Sequence, residues 1–178
     1  MPVAGALYYF HNQGAETELP VVLLHGAGGV HLSWPPEIRR MPGYRLYALD
    51  LPGHGKSDQV GGLQSIPVYA QRIHVWLEAA GLSGAVFVGH SMGGAIALEM
   101  ALQFPEQVLG LGLISTGARL RVHPELLAAA ASPTTYYQAI ENILAWSFHS
   151  QASPRLVELV EQRFSELRPS VLHGDLLA

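Results

Sequence analysis

The chain has 178 residues, 49% of them hydrophobic and 13% charged, which suits one domain with a sizeable core and excludes a disordered segment. A net charge of −4 at pH 7, with no Lys/Arg-rich run, argues against a nucleic-acid partner, and the lack of cysteine excludes disulfides and thiolate metal sites. The opening MPVAGALYYFHNQG has neither the basic nor the apolar region of a signal peptide, and no apolar stretch reaches membrane-spanning length. A cytoplasmic protein without a membrane partner is therefore expected.

Along the chain, ALYYFHNQG at residues 6–14 reads as one or two strands at an antiparallel edge. Four short apolar runs follow: PVVLLHG at 20–26, YRLYALD at 44–50, AVFVGHS at 85–91 and VLGLGLIST at 108–116. Each stops abruptly and none alternates cleanly with polar residues, the pattern of strands buried on both faces of a parallel sheet. Helical patterns separate them. Ser65-Ile66-Pro67 is a start signal, Tyr69, Ile73, Trp76, Leu77 and Ala80 recur on one face, and Gly81 is a stop. Residues 92–104 are small or apolar nearly all round, as in a buried helix that Pro105 ends. This alternation predicts an α/β fold, a doubly wound, mostly parallel sheet. Beyond about Arg119 the texture becomes purely helical, with helices expected at 124–131, 136–148 and 154–167. The chain thus divides into a core at residues 1–118 and a helical subdomain at 119–178.

Gly89-His90-Ser91-Met92-Gly93 matches G-x-S-x-G, between a strand and a helix. A tight strand-to-helix turn forces the serine into a strained conformation and leaves no room for side chains at Gly89 and Gly93. It also holds the Ser91 hydroxyl at the positive end of the following helix. The alternative is a glycine-rich turn whose serine only caps that helix. A second motif, His25-Gly26-Ala27-Gly28-Gly29, ends the first long strand, where glycines free a backbone N–H to face an anion. Neither a Walker loop nor a dinucleotide fingerprint is present, so no cofactor is implied. The third, Asp50-Leu51-Pro52-Gly53-His54-Gly55-Lys56-Ser57, reads as a structural turn with Asp50 as a local hydrogen-bond acceptor.

Together the three motifs resemble the α/β-hydrolase superfamily, in particular its serine esterases and carbon–carbon-bond hydrolases. The resemblance implies Ser91 as the catalytic nucleophile and the N–H groups of Ala27 and Met92 as the oxyanion hole. His25, Gly26, Gly89, His90 and Gly93 support these motifs, His25 bracing the loop and His90 packing beside the sheet. It also implies that residues 119–178 form a cap over the pocket. Of its aromatic residues, Tyr136, Tyr137, Trp146, Phe148 and Phe164, most are expected in the core and few on the substrate wall. The substrate expected is a small apolar ester, with Arg119 and Arg121 as candidates for a charged group.

In that family the triad's acid and histidine follow the cap. Here His123, His149 and His173 are the histidines after Ser91, and Asp175 is the one aspartate. His173 and Asp175 are too close together, and in the wrong order, to be the acid and base. A polar cap residue and a helix N-cap are the preferred readings of the two. About 60 further residues are expected to carry the missing groups. The chain alone is therefore expected to be catalytically incomplete. The run at 108–116 would be an exposed sheet edge, completed by a complementary C-terminal fragment or second chain. A carbon–carbon-bond hydrolase, or a non-catalytic scaffold that binds a ligand, are the alternatives to an esterase.

Overall fold

The computed structural model describes residues 3–59 and 61–178. Strands β1 (Val3–Ala4), β2 (Leu7–His11), β3 (Pro20–Leu24), β4 (Arg45–Leu49), β5 (Ala85–His90) and β6 (Val108–Ile114) form one sheet in the order β1-β2-β4-β3-β5-β6. Strands β4, β3, β5 and β6 run parallel, and β1 and β2 add the antiparallel edge expected of the N-terminal run.

Successive side chains of a strand point to opposite faces, so a continuous apolar run feeds two cores. Val22 and Leu24 of β3 join Tyr47, Leu49 and Phe87 in the larger core, while Val21 and Leu23 join Leu46, Ala48 and Trp34 in the smaller one. The larger core is closed by helices α2 (Ile66–Ala79) and α3 (Met92–Gln103). Helix α2 contributes Tyr69, Ile73, Trp76 and Leu77, all fully buried, and Gly81 beyond its end has φ +69°. The Trp76 ring meets Tyr47 and Tyr9 edge-on at 5.6 and 5.5 Å. A short helix, α1 (Pro36–Arg39), follows β3 and had no periodic signal in the sequence.

Strand β6 differs from the expectation of burial on both faces. Among the described residues it pairs only with β5, and Leu109, Leu111 and Leu113 are 56%, 39% and 46% exposed. Gly110 and Gly112 face the other way, against Val86 and Val88 of β5. Its edge is open in the described chain.

The C-terminal third is helical throughout: α4 (Pro124–Ala130), α5 (Tyr136–Ser147), α6 (Pro154–Glu166) and α7 (Pro169–Leu177). Tyr136, Ile140, Phe164 and Leu172 form one core among these helices, and Leu126, Ala130 and Ala139 a second. Helix α7 was not foreseen, and it corrects the reading of Asp175 as an N-cap. Asp175 lies in the last turn of α7 and is buried, because its carboxylate is used by tertiary partners rather than by a helix start. Among the described residues, no helix is long and apolar enough to cross a membrane.

Candidate active site

From β3 the chain moves outward to β4 on one side and then returns to β5 on the other. Such a reversal opens a crevice at the carboxyl ends of the two diverging strands. The His25–Gly29 loop leaves β3 at this point and Ser91 leaves β5, so the two sequence motifs meet there.

Ser91 has φ +52° and ψ −121°, a backbone conformation that a side chain disfavours. Its N–H donates to Ile114 O at 2.9 Å, and its carbonyl accepts from Gly94 and Ala95 at 2.9 and 3.2 Å, so the turn is held on both sides. A Cβ at Gly89 would overlap the Gly93 backbone, and one at Gly93 would overlap the Leu24 carbonyl. Only glycine fits at either position. The N–H of Met92, first in α3, has no carbonyl one turn earlier to pair with.

Across the crevice, Gly29 N–H donates to Gly26 O at 3.0 Å and Gly28 has φ +67°. With Ala27 at negative φ, this is a type II turn, whose third residue wants glycine. The Phe164 ring lies where a Gly28 side chain would be. Ala27, Ser91 and Met92 line one cleft of about 740 Å³, together with Leu98, Leu120 and Leu176. Arg121 also lines it, whereas Arg119 is exposed away from it. Of the expected aromatics none lines this cleft: Tyr136 and Phe164 are core, and Tyr137 and Trp146 are 64% and 55% exposed.

His25 is a brace. Its Nε2 accepts the Leu51 N–H at 3.0 Å, so Nδ1 carries the proton and donates to Gly26 O at 2.8 Å. Burial, and then the charge of neighbouring His54, pushes its pKa down to about 4. A neutral ring with both nitrogens engaged has no means to take a proton from Ser91. His90 is exposed at the end of β5 rather than packed beside the sheet, because its side chain turns toward the loop, with Nδ1 near Gly26.

Asp50 is the local acceptor its motif suggested. It takes the His31 N–H at 2.6 Å, His31 Nδ1–H at 2.8 Å and the Lys56 N–H at 3.0 Å. Burial alone would raise its pKa, but these hydrogen bonds from His31 and Lys56 outweigh it and hold the carboxyl below its ordinary value.

A buried network that sequence reasoning missed centres on Asp175. Its Oδ2 accepts the Gly28 N–H at 2.9 Å and lies 2.8 Å from His54 Nε2, while its Oδ1 accepts the Tyr69 hydroxyl at 2.6 Å. Burial, and then the Asp175 carboxylate, raises the Tyr69 pKa well above its ordinary value, so that hydroxyl stays a donor. His54 Nδ1 faces the Pro52 carbonyl at 3.0 Å. Among the described residues, no hydrogen bond joins the Ser91 hydroxyl to any histidine. His173, on α7, does not line the cleft.

A mostly parallel sheet with a strained serine at the strand–helix turn beside a switch-point crevice is the architecture of α/β hydrolases. The chain belongs to the alpha/beta hydrolase fold family, whose pattern it matches over residues 20–170. It is 32% identical over 146 residues to a pimeloyl-[acyl-carrier protein] methyl ester esterase of Yersinia enterocolitica, covering 76% of this chain and 55% of that protein. It is 36% identical over 103 residues to the dihydrolipoyllysine-residue acetyltransferase component of an acetoin cleaving system of Cupriavidus necator, covering 57% of this chain and 27% of that one. The enol-lactonase of Burkholderia xenovorans superposes with a TM-score of 0.86 at 19% identity, over 97% of this chain and 69% of that one. A thermophilic esterase does so with a TM-score of 0.73 at 31% identity, over 96% and 67%. The chain therefore spans about half or less of these curated relatives and about two thirds of these solved structures.

Proposed function

We propose that this chain is the nucleophile-bearing part of a serine hydrolase that acts on carboxylic esters through an acyl-enzyme on Ser91. The observation that carries the reading is the backbone of Ser91, φ +52° and ψ −121°, at the mouth of a cleft that Ala27 and Met92 also line. Strain of this kind persists where surrounding structure enforces it, and here it holds Ser91 at a cleft shared with Ala27 and Met92. In the proposed reaction the Ser91 oxygen attacks the ester carbonyl and its proton passes to a base. The N–H groups of Ala27 and Met92 bind the oxyanion, the alcohol leaves protonated, and water then releases the acid. The aliphatic cleft suits a small apolar acyl group, and the likeness to proteins named as esterases supports the class.

The base and its acid partner belong, in this reading, to a complementary segment that docks on the open β6 edge, with residues 119–178 as the cap. The exposed Leu109, Leu111 and Leu113, and the lack of a histidine on Ser91 among the described residues, support it. The isolated 178-residue chain would then turn over esters poorly, since serine unaided is a weak nucleophile. The test compares hydrolysis of a short p-nitrophenyl ester and fluorophosphonate labelling in the full-length protein and in its Ser91→Ala variant. Turnover and labelling that both vanish in the variant support the reading; turnover that survives sinks it.

A further inference from the structure

We infer that Asp175 is a positioning residue for the oxyanion hole: by holding the central peptide of the Gly26–Gly29 turn, it tethers the loop that carries Ala27 at the Ser91 cleft. The inference rests on the serine-hydrolase reading above. The Gly26–Gly29 turn is the loop in question, and the Ala27–Gly28 unit is its central peptide. That peptide is the soft element of any such turn, since types I and II differ in its orientation, and a turn with an untethered centre holds its flanking residues less firmly. Its N–H is the hydrogen that Asp175 Oδ2 accepts at 2.9 Å. The bond is compatible with only one orientation of the plane, and an ionised acceptor makes it stronger than a neutral one. The Ala27 N–H, on the preceding peptide, has no partner among the described hydrogen bonds, and Ala27 lines the Ser91 cleft.

The rest of the network keeps the carboxylate still. Tyr69 donates to Oδ1 from α2, His54 Nε2 meets Oδ2 from the loop after β4, and His54 packs 4.9 Å from the His25 ring that braces the start of the turn. A carboxylate in the last turn of a helix sits at the negative end of the helix dipole, an unfavourable place unless other donors compensate. Here they converge from three separate segments onto the one aspartate whose bond sets the loop. Rigid donors matter because an oxyanion hole acts in the transition state and loses effect when it must reorganise.

The experiment uses the full-length protein with Asp175→Asn, which leaves a neutral acceptor for the same donors, and Asp175→Ala, which removes it. Peptide-level hydrogen exchange at residues 26–29 is measured beside steady-state ester kinetics. The expectation is graded. Exchange in the loop quickens from wild type to Asn to Ala while the β3 and β5 peptides stay protected. In parallel kcat falls several-fold and then about tenfold to a hundredfold, with KM within about twofold. Loop exchange unchanged in the Asn variant would overturn the inference, as would faster exchange with kcat intact. If Asp175→Ala does not fold, Asp175→Asn decides alone by the same two readouts. A wild-type protein with neither turnover nor Ser91 labelling would refute the esterase reading instead, and the loop exchange would still decide the positioning.

Discussion

Asp175 and His54 meet at 2.8 Å in the interior, although 121 residues separate them in the chain. Both side chains are fully shielded from solvent. His54 belongs to the loop that closes β4, and Asp175 to the last helix, so the contact ties the C-terminal helices to the sheet at the edge of the candidate active site. Val171 of the same helix packs on Gly53 and Gly62.

Removing His54 should therefore be costly. His54→Leu leaves the Asp175 carboxylate buried with one partner fewer, and loss of one member of a buried pair costs about 3–5 kcal/mol. Urea denaturation is expected to show a midpoint lowered accordingly. A loss under about 1 kcal/mol would mean that the pair contributes little beyond packing.

Replacing Ser91 by glycine should stabilise the fold and abolish turnover. A non-glycine residue at φ +52° and ψ −121° stores about 1–3 kcal/mol, partly offset by the greater unfolded-state entropy of glycine. A net gain of about 1 kcal/mol in unfolding free energy is expected, with no ester hydrolysis. Ser91→Ala, which keeps a Cβ and hence the strain, should show no such gain.

Gly89→Ala should fail for a purely steric reason. The added Cβ would overlap backbone atoms of Gly93, which sit in the first turn of α3 and cannot give way as a side chain would. A loss of about 3 kcal/mol or more, or insoluble protein, is expected. A soluble variant with wild-type thermal stability would contradict the tight packing of the turn.

His25 should make the fold acid-sensitive in a defined window. Its pKa is about 4 when folded against 6.5 for the free side chain, so the unfolded chain binds the extra proton between these values. The contribution is whole above about pH 6.5 and is lost as pH falls toward 4, at about 1.4 kcal/mol per pH unit, or about 3 kcal/mol in all. Asp50, held below its ordinary value, adds a loss in the same direction only at still lower pH. Urea denaturation across this range should show the decline, and His25→Gln should flatten it while lowering stability at neutral pH.

The open β6 edge should make the isolated chain associate. Leu111→Lys and Leu113→Lys place charge on an exposed apolar strand face, which is how natural edges resist pairing. Light scattering of the isolated chain should fall in the double variant, with the circular dichroism spectrum unchanged. Equal association in both would mean that another surface is responsible.

Much of the fold is visible in the residues because strand and helix signals here are local. The four apolar runs became β3 to β6, the periodic stretch after Ser65 became α2, and Gly81 stopped it with the positive φ its position demands. The short helices escaped for an equally local reason. Pro36–Arg39 is too brief to show a period, and Pro169–Leu177 carries apolar residues without a one-sided face. The apolar run of β6 resembles that of β3 and predicts burial on both faces, whereas the expected exposed edge at 108–116 agrees with its exposed leucines. Composition records what a strand could bury, not whether a neighbour arrives to cover it.

For the candidate site, the sequence by itself determined the strained turn at Ser91 with the glycines around it, and the glycine loop that begins at His25. Steric exclusion acts between residues a few positions apart, so the motif carries its own geometry. Only the tertiary structure decided the tautomer of His25, the exposure of His90 and the role of Asp175. Each of these depends on which donors and acceptors arrive from distant segments: Leu51 onto His25, and Gly28, His54 and Tyr69 onto Asp175. A hydrogen bond is made by whichever polar group the fold brings within reach, and nothing in the spacing of Asp175 along the chain announces partners that lie 106 to 147 residues away.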